Sequence, residues 1–95
     1  MNLATEHQAE LKRLVSQNLP GVQVWAYGSR VQGTATINSD LDVVVFAHLT
    51  DRSAVGNLRE ALEESSIPFV VDLHIWDDLP ATFQAKIESE HVVLF

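Results

Sequence analysis

The chain has 95 residues, of which 46% are hydrophobic, and this is enough to build one domain with its own core, spanning residues 1–95. It has no cysteine, no secretion signal pattern and no apolar run near the ~18 residues of a membrane span, so we expect a cytoplasmic protein without disulfides or a membrane partner. A net charge of −7, from 13 acidic and 6 basic residues, argues against binding to long nucleic acids.

Two predicted elements precede the first motif. Residues 2–18 carry apolar side chains at helical spacing and predict an amphipathic helix, which ends at Pro20-Gly21. Residues 22–27 alternate and predict a strand, with Val24 and Ala26 on one face and Trp25 and Tyr27 on the other.

A turn of small residues, Gly28-Ser29, follows this strand, and residues 29–35 predict a short helical turn. Glycine lets a ligand approach the backbone closely, and N–H groups at the start of a helix attract anions. Ser29 adds a hydroxyl donor, so the turn predicts a phosphate-binding site. Arg30 beside it has two interpretations that the sequence leaves open, a triphosphate contact or a solvated side chain in the first turn.

Two aspartates open the second strand, which is predicted at residues 40–46. Side chains two positions apart share one face of a strand, so Asp40 and Asp42 stand together and repel each other. Mg²⁺ removes this repulsion, because it takes one or two protein carboxylates and completes its shell with water and substrate phosphate. An ordinary turn aspartate would explain Asp40, but an unpaired Asp42 inside an apolar segment would be costly.

The rest of the chain continues to alternate between helix and strand. We predict a helix at 51–66 capped by Asp51 or Ser53, a strand at 69–76, a helix from Asp77 or Asp78 through residue 89 that buries Phe83, and a short strand at 91–95. This order predicts an α+β fold, an α/β sandwich in which a small mixed β-sheet is backed by helices.

The spacing of the motifs resembles a known family. Gly28-Ser29, ten intervening residues, and Asp40-Leu41-Asp42 resemble the signature of the DNA polymerase beta-type nucleotidyltransferases, and Gly28 to Ala35 is similar to the minimal nucleotidyltransferase (MNT) group. Those are small prokaryotic proteins, frequently encoded beside an all-helical HEPN-type partner. The resemblance is strongest over residues 22–46, continues more loosely over 69–95, and implies the polymerase-beta-like palm arrangement.

The resemblance also implies the site. Asp40 and Asp42 would be catalytic metal ligands, with two Mg²⁺ ions or Mn²⁺ as an alternative, and Gly28, Ser29 and Arg30 would bind the nucleotide. Asp72 would be the third carboxylate, since the family's third aspartate falls on a strand at the matching place. Asp72 also lies within an apolar strand, where an unpaired carboxylate is expensive to bury.

The implied function is metal-dependent transfer of a nucleoside monophosphate, AMP from ATP or another nucleoside triphosphate, to a partner protein. By this resemblance the chain would be an antitoxin that adenylylates a HEPN toxin within a hetero-oligomer. Two alternatives stay open: the catalytic subunit of a two-chain small-molecule nucleotidyltransferase, and a non-catalytic antitoxin that acts by binding alone.

Overall fold

The structure of the protein, a computed structural model, describes Met1 and residues 3–95. Its helices are α1 (Thr5–Asn18), α2 (Ser29–Gln32), α3 (Arg52–Glu64) and α4 (Ala81–Ser89). Its strands are β1 (Val24–Tyr27), β2 (Leu41–Val45), β3 (Val71–Ile75) and β4 (Val92–Val93). Short 3₁₀ turns at Leu49–Asp51 and Trp76–Asp78 precede α3 and α4.

The four strands form one mixed sheet in the order β3-β2-β1-β4. β1 runs antiparallel to both β2 and β4, whereas β2 and β3 are parallel and are joined by the crossover through α3. The predicted α+β class with a small mixed sheet is therefore confirmed.

Helices α1 and α3 cover one face of the sheet. Their apolar stripes, which include Leu11, Val15, Val55 and Leu58, are buried against the inward side chains of β1, β2 and β3. This layer is the main hydrophobic core, and it holds the strands against the two helices. Among the described residues no helix is long and apolar enough to cross a membrane.

The opposite face of the sheet is divided into two regions. Towards one end, Trp25 stacks on His91, with ring centroids 3.8 Å apart, and packs edge-on against Phe46 and Trp76. Towards the other end lie Tyr27 and the acidic residues of β2 and β3. Helix α4 packs over part of this face through the buried Ile87.

Several predicted boundaries differ from the structure. The first helix begins at Thr5, because Ala4 is extended, and the predicted position Asn2 lies outside the described residues. Every strand is shorter than predicted, since pairing with the neighbour ends before the apolar run does. Helix α2 ends at Gln32, where Gly33 adopts the left-handed conformation.

Three predicted side-chain roles were wrong. Asp51 occupies the cap position of α3 without a side-chain cap bond, and Ser53 lies inside the helix. Asp77 and Asp78 lie in the 3₁₀ turn before α4, whose cap position is Pro80, and Asp78 instead pairs with Arg52. Phe83 is 40% exposed, because α4 turns only Ile87 fully into the core.

Candidate active site

The Gly28 turn is shaped so that only glycine fits. Gly28 has φ 80° and ψ −157°, a region that other residues essentially do not enter. A Cβ atom built there would lie 2.3 Å from Oδ2 of Asp42. The backbone of the predicted phosphate-binding turn and the predicted metal ligand are therefore in direct contact.

The three predicted carboxylates come from two neighbouring strands. Asp42 pairs with Tyr27 of β1 on one side and with Asp72 of β3 on the other. Asp40 precedes β2 by one residue and shares the face of Asp42 because it is two positions away. The structure thus brings Asp42 and Asp72 side by side, with Asp40 at the entrance of the same strand.

The acidic residues act on each other electrostatically. Partial burial, and then the negative charges of Asp72 and Asp40, raise the pKa of Asp42. The sequence predicted that Asp72 would be costly to bury, but Asp72 is exposed in the structure, and the partly buried carboxylate is that of Asp42. The repulsion is the kind that a bound cation offsets.

The donor set fits a hard divalent cation, which prefers carboxylate oxygen atoms. As the side chains stand, no three His, Asp or Glu groups in the described part of the chain converge closely enough to hold an ion. Asp40 and Asp72 are both exposed, so their side chains have room to turn. The role of the three carboxylates as metal ligands stays a prediction.

Two further groups stand at the site. Burial, followed by the charges of Asp42 and Asp72, raises the pKa of Tyr27 to about 12. His74 lies with Nε2 3.3 Å from Oδ1 of Asp72. The alternation of β1 placed Tyr27 on the face of Trp25, but the sequence did not connect it to the aspartates.

A cavity of about 440 Å³ opens beside the glycine turn. Its walls include the apolar or aromatic side chains of Tyr27, Phe83 and Ile87, and its polar lining includes Gln32 and Lys86. A pocket with apolar walls and a few polar groups suits a small organic ligand. Sequence reasoning missed it because α4 was predicted to bury Phe83.

Ser29 and Arg30 follow the turn as the first residues of α2. Arg30 is buried, and its guanidinium donates to backbone carbonyl groups of the loop before β2. Its predicted contact with a nucleotide, like that of Ser29, stays a prediction.

Comparison with known proteins agrees with this geometry. The chain is 36% identical over 95 residues to a protein of Haemophilus influenzae named probable protein adenylyltransferase MntA, covering 99% of this chain and 83% of the relative. This relationship and the fold confirm the sequence-based resemblance to minimal nucleotidyltransferases.

Two solved structures share the fold. One is described as a toxin–antitoxin with AMP-PNP, with a TM-score of 0.66 and 22% identity over 93% of this chain and 72% of that chain. The other is described as a mutant of the toxin–antitoxin MntA-HpeT, with a TM-score of 0.65 and 20% identity over 93% of this chain and 72% of that chain. The profile of the family described as "Polymerase beta, Nucleotidyltransferase" matches residues 9–95. The chain, with its glycine turn packed against paired aspartates, therefore belongs to the polymerase beta nucleotidyltransferase family.

Proposed function

We propose that this protein transfers AMP from ATP to a hydroxyl group of a partner protein and releases pyrophosphate. One observation carries the proposal: the Gly28 turn packs directly against Asp42, and Asp42 is in register with Asp72. A triphosphate held at the turn would lie beside the carboxylates that neutralise its charge through a metal. The name of the Haemophilus influenzae relative supports adenylate as the group transferred and a protein as the acceptor.

In the reaction, the acceptor oxygen forms a bond to the α-phosphorus, and the bond from that phosphorus to the bridging oxygen of pyrophosphate breaks. Two divalent ions, Mg²⁺ or Mn²⁺, held by Asp40, Asp42 and Asp72, would supply charge neutralisation at the phosphate oxygens. The Gly28 backbone and the Ser29 hydroxyl would orient the triphosphate. Asp72, exposed and beside His74, would take the proton of the acceptor hydroxyl.

We further propose that the acceptor belongs to a HEPN-type helical toxin, with this chain as its antitoxin. The two solved structures compared above are described as toxin–antitoxin proteins, which supports a toxin as the partner. The net charge of −7 favours association with a basic surface by electrostatic steering.

The test is transfer of label from ATP. The protein is incubated with α-labelled ATP, Mg²⁺ and the product of the adjacent reading frame, and the partner is examined for label and for the added mass of AMP. We expect labelling by the wild type and by Arg13→Lys, a control on the exposed side of α1, and none by Asp42→Asn. An unlabelled partner with the wild type, or labelling that survives in Asp42→Asn, would contradict the proposal.

A further inference from the structure

Arg30 is a charged side chain with an unusual position for its type. Its residue is only 4% exposed, although charged residues are almost never buried unless they are paired. Nε and Nη2 donate to the carbonyl oxygen of Ser39 at 3.0 and 2.7 Å, and Nη2 also donates to that of Ile37 at 3.2 Å. Hydrogen bonds from a charged donor are among the stronger ones in proteins, so the guanidinium holds this loop firmly.

The loop that Arg30 holds is itself a turn. The Ser39 amide donates to the Thr36 carbonyl at 3.1 Å, and the Thr36 amide donates to the Ser39 hydroxyl at 2.9 Å. These bonds shape residues 36–39 but do not attach them to the rest of the protein. Arg30 provides the attachment, directly before Asp40.

The other side of Asp40 is anchored to β3. The Leu41 amide donates to the Val70 carbonyl at 2.9 Å, which begins the pairing of β2 with β3. The guanidinium of Arg30 lies over the ring of Phe69, the neighbour of Val70, at 4.1 Å from its centroid. Arg30 thus touches the loop before Asp40 and the segment to which Leu41, the residue after Asp40, is bonded. Through its own backbone Arg30 belongs to the helix that follows the Gly28 turn.

We propose that Arg30 is a positioning residue, which fixes Asp40 relative to the glycine turn and to the strand that carries Asp72. It does so from a buried position, through the backbone carbonyl groups of Ile37 and Ser39 and through the ring of Phe69. The effect on catalysis rests on the function proposed above. The effect on the loop does not, because it follows from the contacts of Arg30 alone.

Lysine cannot replace arginine in this role. The guanidinium is a rigid planar fork that makes several bonds at once and stacks on an aromatic face, whereas an ammonium group is a compact point charge on a flexible stem. A contact with phosphate would instead be kept in large part by lysine, which binds phosphate as a point charge. Arg30→Lys therefore separates a positioning role from a nucleotide contact.

The first measurement is amide hydrogen exchange without nucleotide or metal, on the wild type, Arg30→Lys and the control Arg13→Lys. We expect exchange at the Ser39 and Leu41 amides to be about 10-fold faster or more in Arg30→Lys, since charged hydrogen bonds are lost. Exchange at Val44, in the middle of β2, should rise less than exchange at Ser39 and Leu41, because it reports global rather than local opening, and all three amides should be unchanged in the control. Unchanged exchange at Ser39 and Leu41 in Arg30→Lys would overturn the proposal, whatever the activity.

The second measurement is the Mg²⁺ dependence of transfer by the same variants. A displaced Asp40 should raise the Mg²⁺ concentration for half-maximal rate, and saturating Mg²⁺ should recover part of the rate. Wild-type Mg²⁺ dependence in Arg30→Lys would overturn the catalytic part. If the wild type transfers nothing, the proposed function fails while hydrogen exchange still decides the position of the loop.

A second variant guards against an Arg30→Lys protein that does not fold. Phe69→Leu keeps the bonds of Arg30 to the loop and removes the aromatic ring beneath it, which also contacts His7 edge-on. Exchange at Ser39 and Leu41 should then be about two- to fivefold faster, as expected for loss of a cation–π contact. No change in this variant would show that Phe69 is not part of the support and, with Arg30→Lys unfolded, would overturn the proposal.

Discussion

Replacing Gly28 with alanine tests whether the turn and Asp42 are in contact. The backbone at φ 80° and ψ −157° costs a non-glycine residue about 1–3 kcal/mol. A Cβ atom 2.3 Å from Oδ2 of Asp42 forces that carboxylate to move, and overpacking of this kind costs a further ~1–3 kcal/mol. For a domain of this size each kcal/mol lowers the Tm by roughly 4–8 °C, so we expect a loss of about 8 °C or more.

The structure also provides the control. Gly33 has φ 79°, but a Cβ atom there meets nothing within 4 Å. Gly33→Ala should therefore lower the free energy of unfolding only by the backbone strain, about 1–2 kcal/mol, and should keep its transfer activity per folded molecule. Gly28→Ala should lose activity even at temperatures where circular dichroism shows that it is folded, because its Asp42 is displaced.

A double-mutant cycle isolates the clash. In an Asp42→Ala background, the atoms that a Cβ at Gly28 would meet at 2.3 and 3.2 Å are gone, and only the Cβ contact of 3.4 Å is left. Gly28→Ala should then cost only the backbone strain, so the loss of Tm should be clearly smaller than in the wild type. An equal loss in both backgrounds, or full activity of Gly28→Ala, would refute the contact.

Three other substitutions have defined outcomes. Asp42→Asn should abolish transfer. Because the pKa of Asp42 is raised in the native state, the metal-free wild type should also lose stability as the pH rises from about 3.8 through that raised pKa. Thermal melts in the presence of a chelator should show this pH-dependent loss in the wild type and not in Asp42→Asn. Gly56→Ala, at an exposed helical position where a Cβ meets nothing within 4 Å, should stabilise the protein by about 0.5–1 kcal/mol in urea unfolding with activity unchanged. Asp78→Ala removes only an exposed pair with Arg52 and should cost less than about 1 kcal/mol; a larger loss would mean that the pair organises the turn before α4.

Local patterns predicted most of the fold. The apolar stripes of α1 and α3 and the alternation in β1 identified the elements and their buried faces, because these depend on neighbours in sequence. Strand ends depend on which hydrogen-bonding partners the neighbouring strand provides, and the neighbouring strand lies elsewhere in the sequence. The short β4 illustrates this, since Val92 and Val93 pair in regular register with β1, whereas Leu94 and Phe95 bond to Val24 outside that register.

The site was predictable where its residues share a strand or a turn. Asp40 and Asp42 follow from the two-residue repeat, and Gly28 follows from the family spacing. The contacts of Arg30 with the carbonyl groups of Ile37 and Ser39 were not predictable, because backbone acceptors carry no sequence signature. Tyr27 and Asp72 lie on either side of Asp42 because of the register of two different strand pairs, and local sequence patterns do not specify that register.

The parallel pairing of β2 with β3 bears on how the protein folds. Tyr27 and Asp42 belong to strands that are adjacent in sequence, so their pairing closes a short loop, whereas Asp42 meets Asp72 only after the whole crossover through α3 has closed. Pairings between distant segments form slowly, since the entropy of the intervening chain is lost before the contact is gained. We therefore expect the third carboxylate to join the other two in a late step of folding. A chain still emerging from the ribosome would hold the glycine turn and two aspartates without the third, and under the proposed mechanism it would be unable to react before its fold is complete.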